Sequence, residues 1–185
     1  MNKKKLLNGK EFLFTNSFSE KDLKDAYNIL IEAYSRTEVD IWGDNYTRLE
    51  FDEFQSLYLR NEIILVKHNS FVVGTIHHFK LDEYTHSFGL FAVDRGFKGH
   101  SIGKELIKLV ESIAIEAKCN RISIEVLRPT NFEVPFKLVL KDWYKNLGYQ
   151  YSHSSEFLEH KPDKTEKALL LKVPATFDCF IKQLA

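Results

Sequence analysis

Apolar residues in the first third of the chain recur at helical spacing. Over residues 19–36, Leu23, Ala26, Tyr27, Leu30, Ile31 and Tyr34 fall on one stripe, the three-to-four-residue period of an amphipathic helix. Ser19 ahead of them is a good N-cap, and acidic residues fill the first turn. A second, less regular stripe predicts another helix over 47–60. Residues 37–46 between them read as a loop, and the short apolar run at 11–18 reads as a first strand.

The period then changes. Residues 62–69 and 71–81 are rich in β-branched and aromatic side chains and are separated by Asn69-Ser70. They read as paired strands, and a tight turn at Asp82-Glu83 leads into a third strand at 84–93, completing an antiparallel meander. Helical spacing returns over 101–118, with Ile102, Leu106, Leu109, Val110, Ile113 and Ala117 on one face. The alternating segment 121–128 follows that helix, so it is expected to lie parallel to 86–93 as a β-α-β crossover. A proline-bounded loop at 129–136 precedes a helix over 137–149, which ends at Gly148 in the C′ position. Residues 150–159 and 167–174 read as two strands, and 175–185 as a short terminal helix. The order predicts an α/β chain of the α+β type. Its central sheet is mixed but mostly antiparallel, around a β-α-β core, with helices on both faces.

Composition narrows the function. A chain of 185 residues is enough for one domain, and neither a repeat nor a low-complexity linker divides 1–185. Lys plus Arg and Asp plus Glu number 26 each, which argues against binding nucleic acid over a broad basic surface. Cys119 and Cys179 form no CxxC pair, so neither a disulfide framework nor a metal site is expected. The apolar stretch near the N-terminus is interrupted by Asn8, Gly9, Lys10 and Glu11, a poor signal peptide. No run approaches the ~20 apolar residues of a membrane helix. A cytoplasmic protein without a membrane partner is the expectation.

The segment FAVDRGFKGHSIGKELIKLV, residues 91–110, joins a strand to a helix through Gly96, Gly99 and Gly103 with Arg95, Lys98, His100 and Lys104 around them. A glycine-containing turn before a helix N-terminus makes a backbone cradle for a phosphate. An ordinary turn with exposed lysines has the same composition. Neither GxGxxG nor GxxxxGK[ST] occurs, which disfavours dinucleotide and nucleotide-triphosphate folds.

The run Lys98-Gly99-His100-Ser101-Ile102-Gly103 resembles the Arg/Gln-x-x-Gly-x-Gly/Ala signature of the GNAT superfamily of acyl-CoA N-acyltransferases. Lys98 replaces Arg/Gln and Ser101 replaces the first glycine, while Gly103 and Leu106 are in register. The segment DWYKNLGYQ, 142–150, is similar to the family's later Tyr-x-x-x-Gly-Phe/Tyr segment. The matched order of elements spans roughly residues 10–173.

That resemblance implies an N-acetyltransferase passing an acetyl group from acetyl-CoA to a primary amine of a small molecule or peptide. It implies pantetheine against Phe91, Ala92 and Val93, and the CoA pyrophosphate on Lys98, Gly99, His100, Ser101, Ile102, Gly103 and Lys104. A backbone N–H near Ala92 or Val93 is implied for the oxyanion. Tyr144 falls on the family's general acid. The family's common strand glutamate aligns with Ser87, so Glu83 or His86 acting through water is the expected base. His77, His78 and Glu125 are further candidates, and adjacent His77 and His78 must point to opposite faces of a strand. The acceptor side is expected at 39–51, where Trp42 and Tyr46 with Asp44 would suit a cationic amine. A solvated loop with aromatics folded onto the core reads equally well there. Dimers are common in the family, so the resemblance leaves a homodimer open without fixing the oligomeric state. The alternative is a non-catalytic module of the same fold that binds CoA or another ligand as a sensor, for which the changes at Lys98 and Ser101 leave room.

Overall fold

The structure, a computed structural model, describes residues 1–44 and 46–184. Strands β1 (Asn2–Leu7) and β2 (Lys10–Thr15) precede α1 (Glu20–Thr37), α2 (Val39–Trp42) and α3 (Phe51–Leu59). The meander is β3 (Ile63–His68), β4 (Phe71–Lys80) and β5 (Thr85–Val93), followed by α4 (Ile102–Glu116) and β6 (Arg121–Pro129). Then come α5 (Pro135–Asn146), β7 (Gln150–Glu156), α6 (Phe157–His160), α7 (Thr165–Ala168) and β8 (Ala175–Gln183). The strands form one sheet in the order β1-β2-β3-β4-β5-β6-β8-β7. β5 and β6 pair in parallel across the α4 crossover, and every other neighbouring pair is antiparallel.

The sheet is covered on both faces, which is why β3 is apolar throughout rather than alternating. Ile64 and Val66 pack with Leu106 and Val110 of α4, whereas Ile63 and Leu65 pack with Leu23 and Leu30 of α1. α1 begins as its sequence dictates: Ser19 and Asp22 form a reciprocal capping box. α5 ends with Gly148 at φ +93°, the left-handed C′ residue.

Four expectations change. The basic N-terminal residues form a strand, because Lys3 and Lys5 need only pair their backbone with Phe14 and Phe12 along a sheet edge. Residues 167–174 are not a strand; they hold the end of α7 and a turn, with Leu169 86% exposed and Leu170 54%. The terminal segment is the long strand β8, wedged between β6 and β7 with Ala175 to Phe180 all buried. A chain buried on both faces loses the alternation that marks a strand, and Ala-Thr-Phe-Asp-Cys-Phe carries no period of its own. Part of the expected loop at 37–46 is the single turn α2.

Candidate active site

β5 and β6 are paired over only three residues, Thr85–Ser87 with Arg121–Ser123. Beyond Ser87 each follows its other neighbour, β5 along β4 and β6 along β8. The two strands therefore open a wedge at the C-terminal end of β5. A bulge lies at its edge: Thr75 pairs with Ala92 but His77 with Gly89, so Leu90 and Phe91 oppose the single residue Ile76. Leu90 takes φ +41° to make it. The Phe91 N–H is directed at the Tyr34 hydroxyl across a long 3.4 Å. The resulting cleft has a volume of about 760 Å³, within the range of small-molecule and cofactor sites.

One end of the cleft is the glycine-containing turn. Gly99 sits at φ +86° and Ser101, the N-cap of α4, at φ +60° with no side-chain capping bond. The His100 N–H is taken by the Phe97 carbonyl at 3.3 Å, whereas the first-turn amides of the 15-residue α4 have no side-chain cap. Lys98, Gly99, Ser101, Ile102, Gly103 and Lys104 all line the cleft. His100 does not: its Nδ1 lies 3.2 Å from the Phe97 carbonyl, and its ring packs towards Phe12. Gly103 is needed for a different reason from Gly99. A Cβ there would meet Phe91 Cζ at 2.9 Å and Trp143 Cη2 at 3.4 Å. Those two rings stack 6.0 Å apart and hold α4 and α5 against the bulge.

Phe91, Ala92, Val93 and Tyr144 also line the cleft. Tyr144 is buried between Phe88 and Tyr149, and its hydroxyl bonds to no described residue. Burial drives its pKa well above that of an ordinary tyrosine, so it stays protonated.

The candidates for the base separate cleanly. Glu83 is exposed in the β4–β5 turn and does not line the cleft. His86 points to the opposite face, where its Nε2 meets His78 Nδ1 at 3.2 Å. Ser87 lines the cleft but donates its hydroxyl to the Ser123 carbonyl at 2.8 Å. His77 and Glu125 do line it. His77 Nε2 is 3.0 Å from Glu62 Oε2, and its ring stacks on Phe79. Burial lowers the His77 pKa, and Glu62 restores only part of it, so the ring is neutral at pH 7. Burial pushes Glu125 up, but hydrogen bonds from Lys161 and His160 outweigh it and keep the carboxylate ionised and occupied. The His77–Glu62 pairing follows from the β3–β4 register, in which Ile63 faces His77.

The expected acceptor residues do not line the cleft. Trp42 is 2% exposed and stacks on Tyr46 at 4.2 Å. Asp44 is exposed on the loop. In their place the chamber beside α1 carries Glu38, Arg48 and Lys137. Lys137 Nζ donates to Glu38 Oε1 at 3.1 Å, and the Trp42 indole donates to Oε2 at 3.1 Å. Arg48 stands 3.8 Å from the same Oε2, over the Tyr34 ring.

His153, His160 and Cys179 bring potential metal-ligating atoms within 4.8 Å of one another, a cluster that no spacing motif marks. Two features oppose a cation there. Burial lifts the Cys179 thiol to about 11, and the Lys161 ammonium lies 2.8 Å from Glu125 beside the cluster.

Against this geometry, the sequence profile described as "Acetyltransferase (GNAT) family" matches residues 23–149. The chain belongs to the GNAT family of acetyltransferases. Solved structures agree in fold. A GNAT-family acetyltransferase from Listeria monocytogenes superposes with TM-score 0.68 at 16% identity, covering 98% of this chain and 100% of that one. A putative acetyltransferase from Salmonella typhimurium, solved with its cofactor acetyl-CoA, gives TM-score 0.65 at 12% identity, covering 94% of each chain. N-acetylglutamate synthase from Neisseria gonorrhoeae, complexed with coenzyme A and N-acetyl-glutamate, gives TM-score 0.63 at 15% identity. It covers 94% of this chain and 35% of that one. No curated protein sequence matches this GNAT chain significantly. None of its described helices is long and apolar enough to cross a membrane.

Proposed function

We propose that this GNAT protein transfers an acetyl group from acetyl-CoA to a primary amine by direct attack of the amine on the thioester. The observation that carries this reading is the single cleft joining the bulged edge of β5, the uncapped turn before α4 and the Tyr144 wall. The amides of Gly99 and of residues 101–104, with Lys98 and Lys104, hold the pyrophosphate of CoA. The bulged edge Phe91–Val93 pairs with pantetheine as an added strand would. An amide of that edge donates to the thioester oxygen as negative charge develops, a contact worth about 3 kcal/mol in comparable sites.

His77 takes the role assigned on sequence to Glu83 or His86. Neutral and oriented by Glu62, it accepts the proton of the incoming ammonium through water. The amine nitrogen bonds to the carbonyl carbon and the carbon–sulfur bond breaks. Tyr144 gives its proton to the departing thiolate, the acylated nitrogen sheds its remaining extra proton to water, and Tyr144, in a setting that disfavours a lasting phenolate, takes a proton back from solvent.

A thermal-shift measurement with acetyl-CoA, CoA and ATP tests the cofactor. Saturating acetyl-CoA and CoA should each raise Tm, by about 2.7 kcal/mol of linkage at a hundredfold excess over Kd, whereas ATP should not. No shift with either CoA species would sink this reading. Thiol release in the presence of amines then tests transfer. Stabilisation by CoA with no release on any amine supports the sensor alternative, which the non-glycine Ser101 at φ +60° favours.

A further inference from the structure

The charges that line the acceptor end of the cleft do not balance. Lys161 is taken by Glu125 at 2.8 Å, and Arg36, exposed, pairs with Glu32. The inner chamber then holds two cations, Arg48 and Lys137, against the one carboxylate of Glu38. Both oxygens of that carboxylate already accept hydrogen bonds, from Lys137 and from the Trp42 indole. Arg48 is left at 3.8 Å from Oε2, beyond hydrogen-bond reach of the carboxylate, with the neutral Tyr46 hydroxyl as its polar neighbour. Its side chain is only 24% exposed. The buried Tyr46 hydroxyl lies beside the guanidinium but makes no well-formed hydrogen bond among the described residues, so it fills at most one of the five donors.

An arginine in this state is costly unless something pairs with it. Its five donors lie in one plane, and a largely buried cation with most of its donors unfilled gives up much of its hydration. The partner that fits a planar fork is a planar anion, taken bidentately. We infer that the acceptor of this GNAT protein carries a carboxylate as well as its amine, that is, an amino acid or a close relative, and that Arg48 anchors that carboxylate. The inference rests on the acetyl-transfer reading and reverses the expectation of an acidic, aromatic pocket for a purely cationic amine. Lys137 completes the device. By neutralising Glu38 it prevents Glu38 from capturing Arg48, and so keeps the guanidinium open to the cleft.

The test is thiol release measured with matched sets of acceptors: the common amino acids, their α-carboxamides, and the amines left when the α-carboxyl is removed. A carboxylate-bearing acceptor should be used with kcat/KM on the order of 50–100-fold above its carboxamide and its decarboxylated amine. In Arg48→Gln that preference should collapse through KM for the amino acid, with kcat and the KM of the plain amine little changed. Arg48→Lys should fall between, since it keeps the charge and loses the fork. Thermal stabilisation by acetyl-CoA should survive both substitutions, which also shows that both variants fold. Preference for plain amines or polyamines, equal use of acid and amide, or preference for an aminoalkyl phosphate over every carboxylate would overturn the inference and leave acetyl transfer standing. Absence of any stabilisation by acetyl-CoA would remove both.

Discussion

Replacing Lys137 with Met removes one ammonium and little else, because the side chain is a straight alkyl stem of similar length. Lys137 and Glu38 are each 6% exposed and 3.1 Å apart. Breaking a buried pair by deleting one partner costs about 3–5 kcal/mol, because the other charge is stranded. Here the stranded carboxylate keeps the Trp42 N–H, and Arg48 can close the 3.8 Å gap to Oε2. The lower end of that range, about 3 kcal/mol, is therefore expected. For a domain of this length it corresponds to a fall in Tm of roughly 6–12 °C. The pH dependence is a second signature. Burial raises the Glu38 pKa, but Arg48 and Lys137 outweigh it and hold the folded value below the usual 4.5. Its stabilisation is thus complete above pH 4.5 and is lost as pH falls through the folded value. Lys137→Met raises that folded value, so the gap between variant and parent should narrow at low pH. Glu38→Gln combined with Lys137→Met removes both members of this pair but leaves the largely buried Arg48 guanidinium without its nearest carboxylate, so the double variant should be no more stable than the single one. The assay is denaturant unfolding at pH 7 and pH 4 with all three proteins. A single variant within about 1 kcal/mol of the parent at pH 7, or a double variant clearly more stable than the single, would refute this account.

Tyr144→Phe should lower kcat by on the order of 10²-fold, with stability within about 1 kcal/mol by denaturant unfolding, because the hydroxyl bonds to no described residue. Equal turnover at all pH values would remove Tyr144 from the acid role. Ser101→Gly should stabilise the protein by about 1 kcal/mol, since a side chain at φ +60° is strained, and calorimetry with and without CoA will show it. Gly103→Ala should weaken CoA binding at least tenfold by titration, because its Cβ would force Phe91 and Trp143 off the bulge. Acid should also act through His78, whose pKa falls to about 4, chiefly through burial and then through His86. The unfolded chain protonates near 6.5 while the folded one resists, so stability should decline as pH drops from about 6.5 to 4, and His78→Phe should flatten that limb.

Much of the fold was legible where local pattern and tertiary demand agree. α1 has its cap, stripe and acidic first turn, and α4 shows its buried face as a regular stripe. The β5-α4-β6 crossover follows from a strand, a helix and a strand in succession. What misled was burial on both faces. β8 is covered above and below, so it shows no alternation, whereas the exposed leucines of 167–174 imitate a strand core. β1 was hidden differently, since an edge strand can carry four polar residues in six when only its backbone is used.

The two ends of the cleft were unequally readable for a related reason. The anion turn is local: a few consecutive residues set its positive φ angles and its uncapped amides, so its glycines and lysines betray it in the sequence. Of its two departures, Lys98 keeps the positive charge, and Ser101 stands at an angle glycine adopts freely. The acceptor chamber is assembled from Glu38, Arg48 and Lys137, and its central ion pair joins positions 99 residues apart. Nothing in the neighbourhood of any one of them distinguishes it from a surface charge. On sequence, Asp44 and Tyr46 drew attention because they are adjacent to Trp42. In the fold, Asp44 is turned outward, and Trp42 and Tyr46 lie behind the charged chamber, where the Trp42 indole helps hold Glu38 in place. The sign of the acceptor site is consequently a property of which charges are paired, not of which are present. A chain with 26 basic and 26 acidic residues still turns toward the cleft a guanidinium that no carboxylate hydrogen-bonds, the feature on which the proposed acceptor carboxylate rests.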